Sequence, residues 1–397
     1  MATREELIKK LNDNSSVVRL DALKELMAKI KSGEIEGPKQ GKDVNNHIHT
    51  TYSFSPYSPT KAVWMAYNAG LETAGIMDHD SLSGAREFIE AGKIVGILTT
   101  IGVECRVSMK NTPFADRRIN NPDQNGVAYC TVHGIPHQNI DKVVEFFKPL
   151  VAKRNERNRK MVDKINELMA PYDIQVDFDK DVVPLSKFAN GGSITERHLM
   201  YALAKKIMKR FGKGEGVVRF LTEDMGVALG AKAKGYLSDA DNEHYDYDLL
   251  GTLKSSLIEN VYIDADEECP DVTELVKFAD EINAYSCYAY LGDVGDSVTG
   301  DKKTQKFEDD YLDELFPVIK ELKFKAVAYM PSRNTLEQLR RVRSLCEKYD
   351  FFQISGEDIN SPRQSFICEA QRDPEFANLY ESTMELIRHE KENSYDE

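Results

Sequence analysis

The 397-residue sequence holds no apolar run that approaches the eighteen or so residues needed to span a bilayer. The N-terminal run MATREELIKKLNDNSS lacks the apolar centre of a secretory signal. It has no CxxC pair either. Cysteines 105, 130, 269, 287, 346 and 368 are scattered, which reads as reduced thiols in a cytoplasmic protein rather than a disulfide framework. Positive charge is in deficit: the formal net charge of −14 argues against a general nucleic-acid or anionic-membrane coat, since phosphate backbones bind basic surfaces. No P-loop, GxGxxG or GxSxG occurs, which disfavours the NTPase, dehydrogenase and serine hydrolase classes. Internal repeats and low-complexity stretches are also missing.

What remains is an ordinary globular composition, 41% hydrophobic and 30% charged, long enough for two or three structural units. Residues 1–40 read as a helical pair ending in a linker, an extension for packing or for a homo-oligomer contact. Residues 41–150 change to short apolar strands followed by helices: VNNHIHT, then SPTKAVWMAYNAG with its Gly stop, ETAGIMDHD, SLSGAREFIEAGKI, ILTTIGVECRV and VAYCTVHGIP. Strands alternating with helices of that length indicate βα units and a parallel sheet. Residues 151–285 break the rhythm and are mostly helical, an inserted subdomain. The βα pattern resumes over 286–397 and ends in an acidic helix.

The informative side chains sit at strand ends. His47 and His49, at i and i+2 on one strand, project to the same face. His79 follows GIM, Glu104 follows IGV, and Asp358 follows FFQIS. In (β/α) barrels the carboxyl ends of the strands open onto one functional face. Imidazoles mixed with carboxylates suit Zn²⁺, Mn²⁺ or Fe²⁺, which activate water near neutral pH. Taken singly, each has a plain structural role: a helix cap for MDHDS, a solvated strand-end Glu, an Asx turn at Asp358. Their joint order is harder to explain that way. His133, at a strand end, is preferred as a further ligand over His137, which falls in a loop. The run AKRNERNRK reads as a solvated basic helix face.

HIHTTYSFSP, MDHDS, GVE and SGEDIN resemble, in that order, the four motifs of the PHP (polymerase and histidinol phosphatase) superfamily, and AYMPSRNTLEQ resembles the segment before the fourth. The likeness covers roughly 43–150 and 285–365. It implies a distorted, TIM-like (β/α)7 barrel with an inserted helical cap and an N-terminal helical extension. It also implies metal-dependent phosphoester hydrolysis by metal-activated water. By that likeness His47, His49, Glu104 and Asp358 would hold one divalent ion firmly; Glu104 and His133 would hold a weaker second, and His79 would belong to a third site. The chain departs from the pattern where an Asp, a His and a second His are usual: Phe54, Tyr290 and Asn360 stand there. Asp293 ends its strand and is a candidate replacement ligand.

GGSITERHLMYALAKKI resembles a cap helix of the branch acting on nucleoside bisphosphates and on RNA 5′ ends. That makes Arg197 and His198 candidate phosphate contacts, with Arg106 and Arg333 beside them. His79 or His133, where not committed to metal, would protonate the leaving oxygen. The expected substrate is a small phosphorylated metabolite or nucleotide. The alternatives are a 5′ exonuclease on RNA, or a non-catalytic metal- or ligand-binding protein.

Overall fold

In the computed structural model, residues 2–294 and 305–394 are described. Two short helices, α1 (Arg4–Lys10) and α2 (Ser16–Lys31), precede β1 (Asp43–Ile48), α3 (Pro59–Ala69), β2 (Leu71–His79), α4 (Ala85–Val95) and β3 (Leu98–Ser108). Then come β4 (Val127–His133) and the long α5 (Ile140–Met169), followed by α6 (Glu196–Phe211), α7 (Glu215–Arg219), α8 (Ala231–Ser238) and α9 (Tyr245–Val261). The chain continues through α10 (Val272–Glu281), β5 (Tyr285–Ala289), α11 (Leu312–Glu321), β6 (Ala326–Tyr329), α12 (Leu336–Tyr349), β7 (Phe352–Ser355) and α13 (Ala377–Asn393).

The seven strands form one sheet in chain order. Its ends meet: His49 N donates to Ile359 O at 2.9 Å, and Ile359 N donates to His47 O at 3.1 Å, so the segment after β7 pairs with β1 and closes the ring. β1, β2 and β3 run parallel, as do β5, β6 and β7. β4 is reversed against both of its neighbours. The parallel expectation fails there for a reason of chain length and content: residues 109–126 contain no helix, and a parallel return needs a crossover, usually helical.

Local chemistry explains the elements. Ser58 Oγ accepts from Lys61 N and Pro59 sits at the first helical position, so α3 starts there; it stops at Gly70, whose φ of 89° is left-handed. Packing divides between two main hydrophobic clusters. One joins the barrel to its outer helices and takes in Leu7, Leu11, Leu23 and Leu26, so the N-terminal helices are packed onto the barrel's own core. The other lies within α5–α9, built on Met161, Ile165, Leu199, Leu203, Phe220 and Leu253. α5 belongs to both: Ile140, Val143 and Phe147 enter the barrel core, while Met161, Val162 and Ile165 enter the cap core. Phe54, from the loop after β1, is a barrel residue buried in the cap's cluster.

Candidate metal centre

β1 delivers His47 at its end and His49 just beyond. β2 ends on His79, which pairs with Glu104 of β3 in register. Glu104 lies inside its strand rather than at its end, because the β3–β4 hairpin extends β3 to Ser108. Asp358 follows β7. These side chains converge. His47 Nε2 and His49 Nε2 are 3.2 Å apart, and each lies 3.5–3.6 Å from Glu104 Oε2. His49 Nε2 is 3.2 Å from Asp358 Oδ1, and His79 Nδ1 is 3.1 Å from Glu104 Oε2.

That donor set fits a divalent ion. Four ligands at about 2.0–2.1 Å around a tetrahedral zinc stand about 3.3–3.4 Å from one another, and these separations straddle that value. Ligand atoms of His47, His49 and Glu104 all lie within 4.8 Å of one another. Electrostatics agree. Burial alone would raise Glu104, but the imidazoles of His79 and His47 outweigh it and hold the carboxyl at about 2. Burial likewise opposes ionisation of Asp358, yet its hydrogen bond to His49 carries it well below the usual carboxylate range. Burial depresses His79 to about 3, against the pull of Glu104.

His133 reaches the site from an unexpected direction. It pairs with Gly102, one inward-facing position below Glu104, so the reversed β4 brings it up under the cluster. Only 1% of it is exposed, and both ring nitrogens are buried without a hydrogen-bond partner. An unsatisfied buried imidazole costs free energy, which a metal would offset. Burial, with His47 nearby, pushes it down to about 3. His137 bonds instead to Glu390 Oε1 at 3.0 Å.

Three of the remaining candidates are placed otherwise. Asp293 accepts from Phe307 N at 2.6 Å and pairs with Lys306 at 2.9 Å, so its carboxylate is engaged away from the cluster. Arg106 donates to Glu196 at 2.9 Å and Glu268 at 2.8 Å, leaving its charge neutralised rather than offered to a phosphate. His198 caps its own helix, its Nδ1 accepting from Thr195 N at 3.0 Å, and its ring packs against Phe54. Arg197 and Arg333 do border the cleft, a space of about 930 Å³ that also includes His47, His49, His79, Glu104 and Asp358 in its lining. Tyr290 also borders the cleft, its hydroxyl donating to Asp309 Oδ1 at 2.5 Å.

Several residues of consequence escape a sequence reading. Asp78 is buried below the site and accepts from Thr50 N, Thr50 Oγ1 and Ser53 Oγ at 2.6–2.7 Å. Ser53 Oγ stands 3.2 Å from His49 Nδ1, so this chain orients the ligand ring. The first Asp of MDHDS was its signal. Gly356 leaves room for His47: a Cβ there would come within 2.9 Å of the histidine's own Cβ. The basic run on α5 is only partly solvated. Arg154 and Arg157 are buried, Arg154 pairing with Asp80 and Glu196, Arg157 with Glu196 and with Glu268 at 2.7 Å.

Comparison with known proteins bears on the family and the fold. A curated 5′-3′ exoribonuclease from Haemophilus influenzae is 27% identical over 165 residues, which are 38% of this chain and 55% of that protein. The match thus spans about half the length of that relative. A Bifidobacterium adolescentis structure, assigned as a metal-dependent phosphoesterase, aligns with a TM-score of 0.57 at 17% identity, covering 91% of this chain and 99% of its own. An amidohydrolase from Chromobacterium violaceum, with bound sulfate, aligns with a TM-score of 0.54 at 15% identity, over 81% of this chain and 88% of that one. The family model for the PHP domain matches residues 45–324. With that model matching well over half of its length and the barrel in place, the chain belongs to the PHP domain family.

Proposed function

We propose that the chain hydrolyses a phosphate ester on a small phosphorylated metabolite or nucleotide. The observation that carries this reading is the convergence of His47, His49, Glu104 and Asp358 on one point of a cleft whose wall bears cations without acidic partners. Arg118 and Lys254 line it with no ion pair among the described residues; Arg197 bonds only the Asn360 side chain, and Arg333 donates to the carbonyl of Leu291. They stand among the acids Glu104, Asp123, Glu259, Asp264 and Asp358 of the same lining, four fixed positive charges that an anionic ligand can meet in a chain of net charge −14. A cleft of this volume suits a small molecule.

A divalent ion held by His47, His49, Glu104 and Asp358, with another at Glu104 and His133, would supply Lewis-acid polarisation and an activated water. The side chains do the rest. His79, held with Nδ1 3.1 Å from Glu104 Oε2, is the side chain placed to relay a proton to the leaving oxygen. Arg197 and Arg333 stabilise the charge that builds on the transferred phosphoryl group. Asp78 and Ser53 keep the His49 ring in place.

The similarity to an exoribonuclease favours a second reading, removal of nucleotides from an RNA 5′ end. Phosphate release by the purified chain with Mn²⁺ or Zn²⁺ separates the two, tested on nucleoside bisphosphates, sugar phosphates and 5′-phosphorylated oligoribonucleotides. Asp358→Ala runs beside it and is expected to abolish release and weaken metal binding. If no ester is turned over while metal is bound, the hydrolase reading fails and a binding protein is the better description.

A further inference from the structure

Arg197 stands in the first turn of α6, on the cap, yet residues outside the cap grip its guanidinium. Its Nη1 donates to Asn360 Oδ1 at 2.6 Å, and its central carbon lies 5.4 Å from the centre of the Phe54 ring. Asn360 continues the connection: its Nδ2 donates at 2.7 Å to Asp358 Oδ1, the oxygen that faces His49. A carboxamide suits this position because one planar group offers an acceptor to a guanidinium and a donor to a carboxylate. Phe54 is held in turn by the rings of His198, Tyr201 and Tyr247, with centroids 4.8–5.8 Å away. Arg197 has no carboxylate partner among the described residues, and its Nε is buried without a hydrogen bond. A positive charge fixed by an amide and a ring, rather than neutralised by an acid, keeps its attraction for an incoming anion.

We propose that Asn360 and Phe54 are positioning residues that hold the uncompensated Arg197 guanidinium beside Asp358, where it clamps a phosphate group seated at the histidine–carboxylate cluster. This deepens the phosphoester reading and rests on it. The cap supplies the phosphate ligand; the barrel dictates where that ligand stands, through an amide that also touches a metal-binding carboxylate.

Inorganic phosphate is the probe. Its affinity for the Mn²⁺-loaded full chain is measured by titration calorimetry, with bound manganese counted by mass spectrometry. Arg197→Ala and Asn360→Leu should each weaken phosphate binding by about tenfold or more, the scale of one charge-assisted hydrogen bond. Phe54→Leu should weaken it less, because the amide contact remains. In the Arg197→Ala background, Asn360→Leu should add little, since the amide acts through the arginine. Added guanidinium should restore part of the affinity of Arg197→Ala, but not of the double variant. Additive losses, unchanged affinity in Asn360→Leu, or a loss that follows bound manganese would each overturn the proposal. Should the leucine variant fail to fold, Asn360→Asp keeps the shape but pairs with the guanidinium and lacks the donor; retained affinity there overturns the proposal as well. A wild-type chain that binds phosphate but hydrolyses no ester removes the proposed function alone. One that binds no phosphate removes this inference.

Discussion

Glu196→Gln removes one negative charge from a buried cluster that sets Arg106, Arg154 and Arg157 against Asp80, Glu196 and Glu268. Glu196 is the hub: it accepts from Arg106 Nη2 at 2.9 Å and from Arg157, and it lies 3.4 Å from Arg154 Nη2. Burial would raise its carboxyl, but Arg106 and Arg157 overcome that and hold it well below the ordinary range. An exposed ion pair contributes about 0–1 kcal/mol. Here the arginine side chains are only 3–6% exposed, and taking one partner from a buried pair costs about 3–5 kcal/mol, because the remaining charge is left uncompensated. Urea unfolding followed by circular dichroism and by the fluorescence of Trp64 should show a loss of that size. Trp64 is the single tryptophan and lies in α3, so it reports the barrel while circular dichroism reports barrel and helical cap together. Added salt should change the loss little, since buried charges are poorly screened. Restoring the balance with Glu196→Gln/Arg157→Met should recover much of it. A loss under about 1 kcal/mol, or a double variant weaker than the single, would refute the assignment of Glu196 as the hub.

His133→Ala should remove the weaker phase of metal binding and leave the stronger; an unaltered Mn²⁺ isotherm would show that the orphaned imidazole serves something else. Glu308 is fully buried, and burial pushes its carboxyl up to about 7, above an unfolded value of about 4.3. The native chain therefore binds the extra proton between those values, and stability should fall as pH rises through that window, by about 4 kcal/mol in all. Glu308→Gln should flatten that slope, since its amide still accepts from Leu291 N and Tyr288 Oη; parallel curves for the two proteins would rule the carboxyl out as the cause.

Much of the candidate metal cluster was legible because its side chains lie next to strand motifs: HxH, MDHDS and GVE each place a histidine or carboxylate of the cluster within or directly after an apolar run. The seven-stranded barrel followed from the likeness of those motifs to the PHP pattern, while the strand-and-helix rhythm alone indicated βα units. What escaped depends on partners distant in sequence. Nothing in AKRNERNRK distinguishes the exposed Arg159, paired with Asp179, from the buried Arg157, whose partners are 39 and 111 residues away. Arg106 looked available because its two acids belong to the cap and the segment after it. Asp293 ends an apolar run as Asp358 does, but Lys306 and Phe307 fold back onto it. Phe54 looked like a mere loss at a ligand position; only the folded chain shows an aromatic peg filling the cap.

The reversal of β4 has an architectural consequence. A strand that runs against its neighbours ends on the far rim of the barrel, and α5 sets out from there. Thirty residues at 1.5 Å each make a rod of about 45 Å, rooted in one hydrophobic body at Phe147 and in the other at Met161. Arg154 and Arg157 stand between the two, level with the ion cluster. One helix, with Pro149 near its foot, therefore serves as barrel wall and as mast for the cap. A tilt at its foot would be magnified at its head, and with it the height of the roof above the histidine–carboxylate cluster.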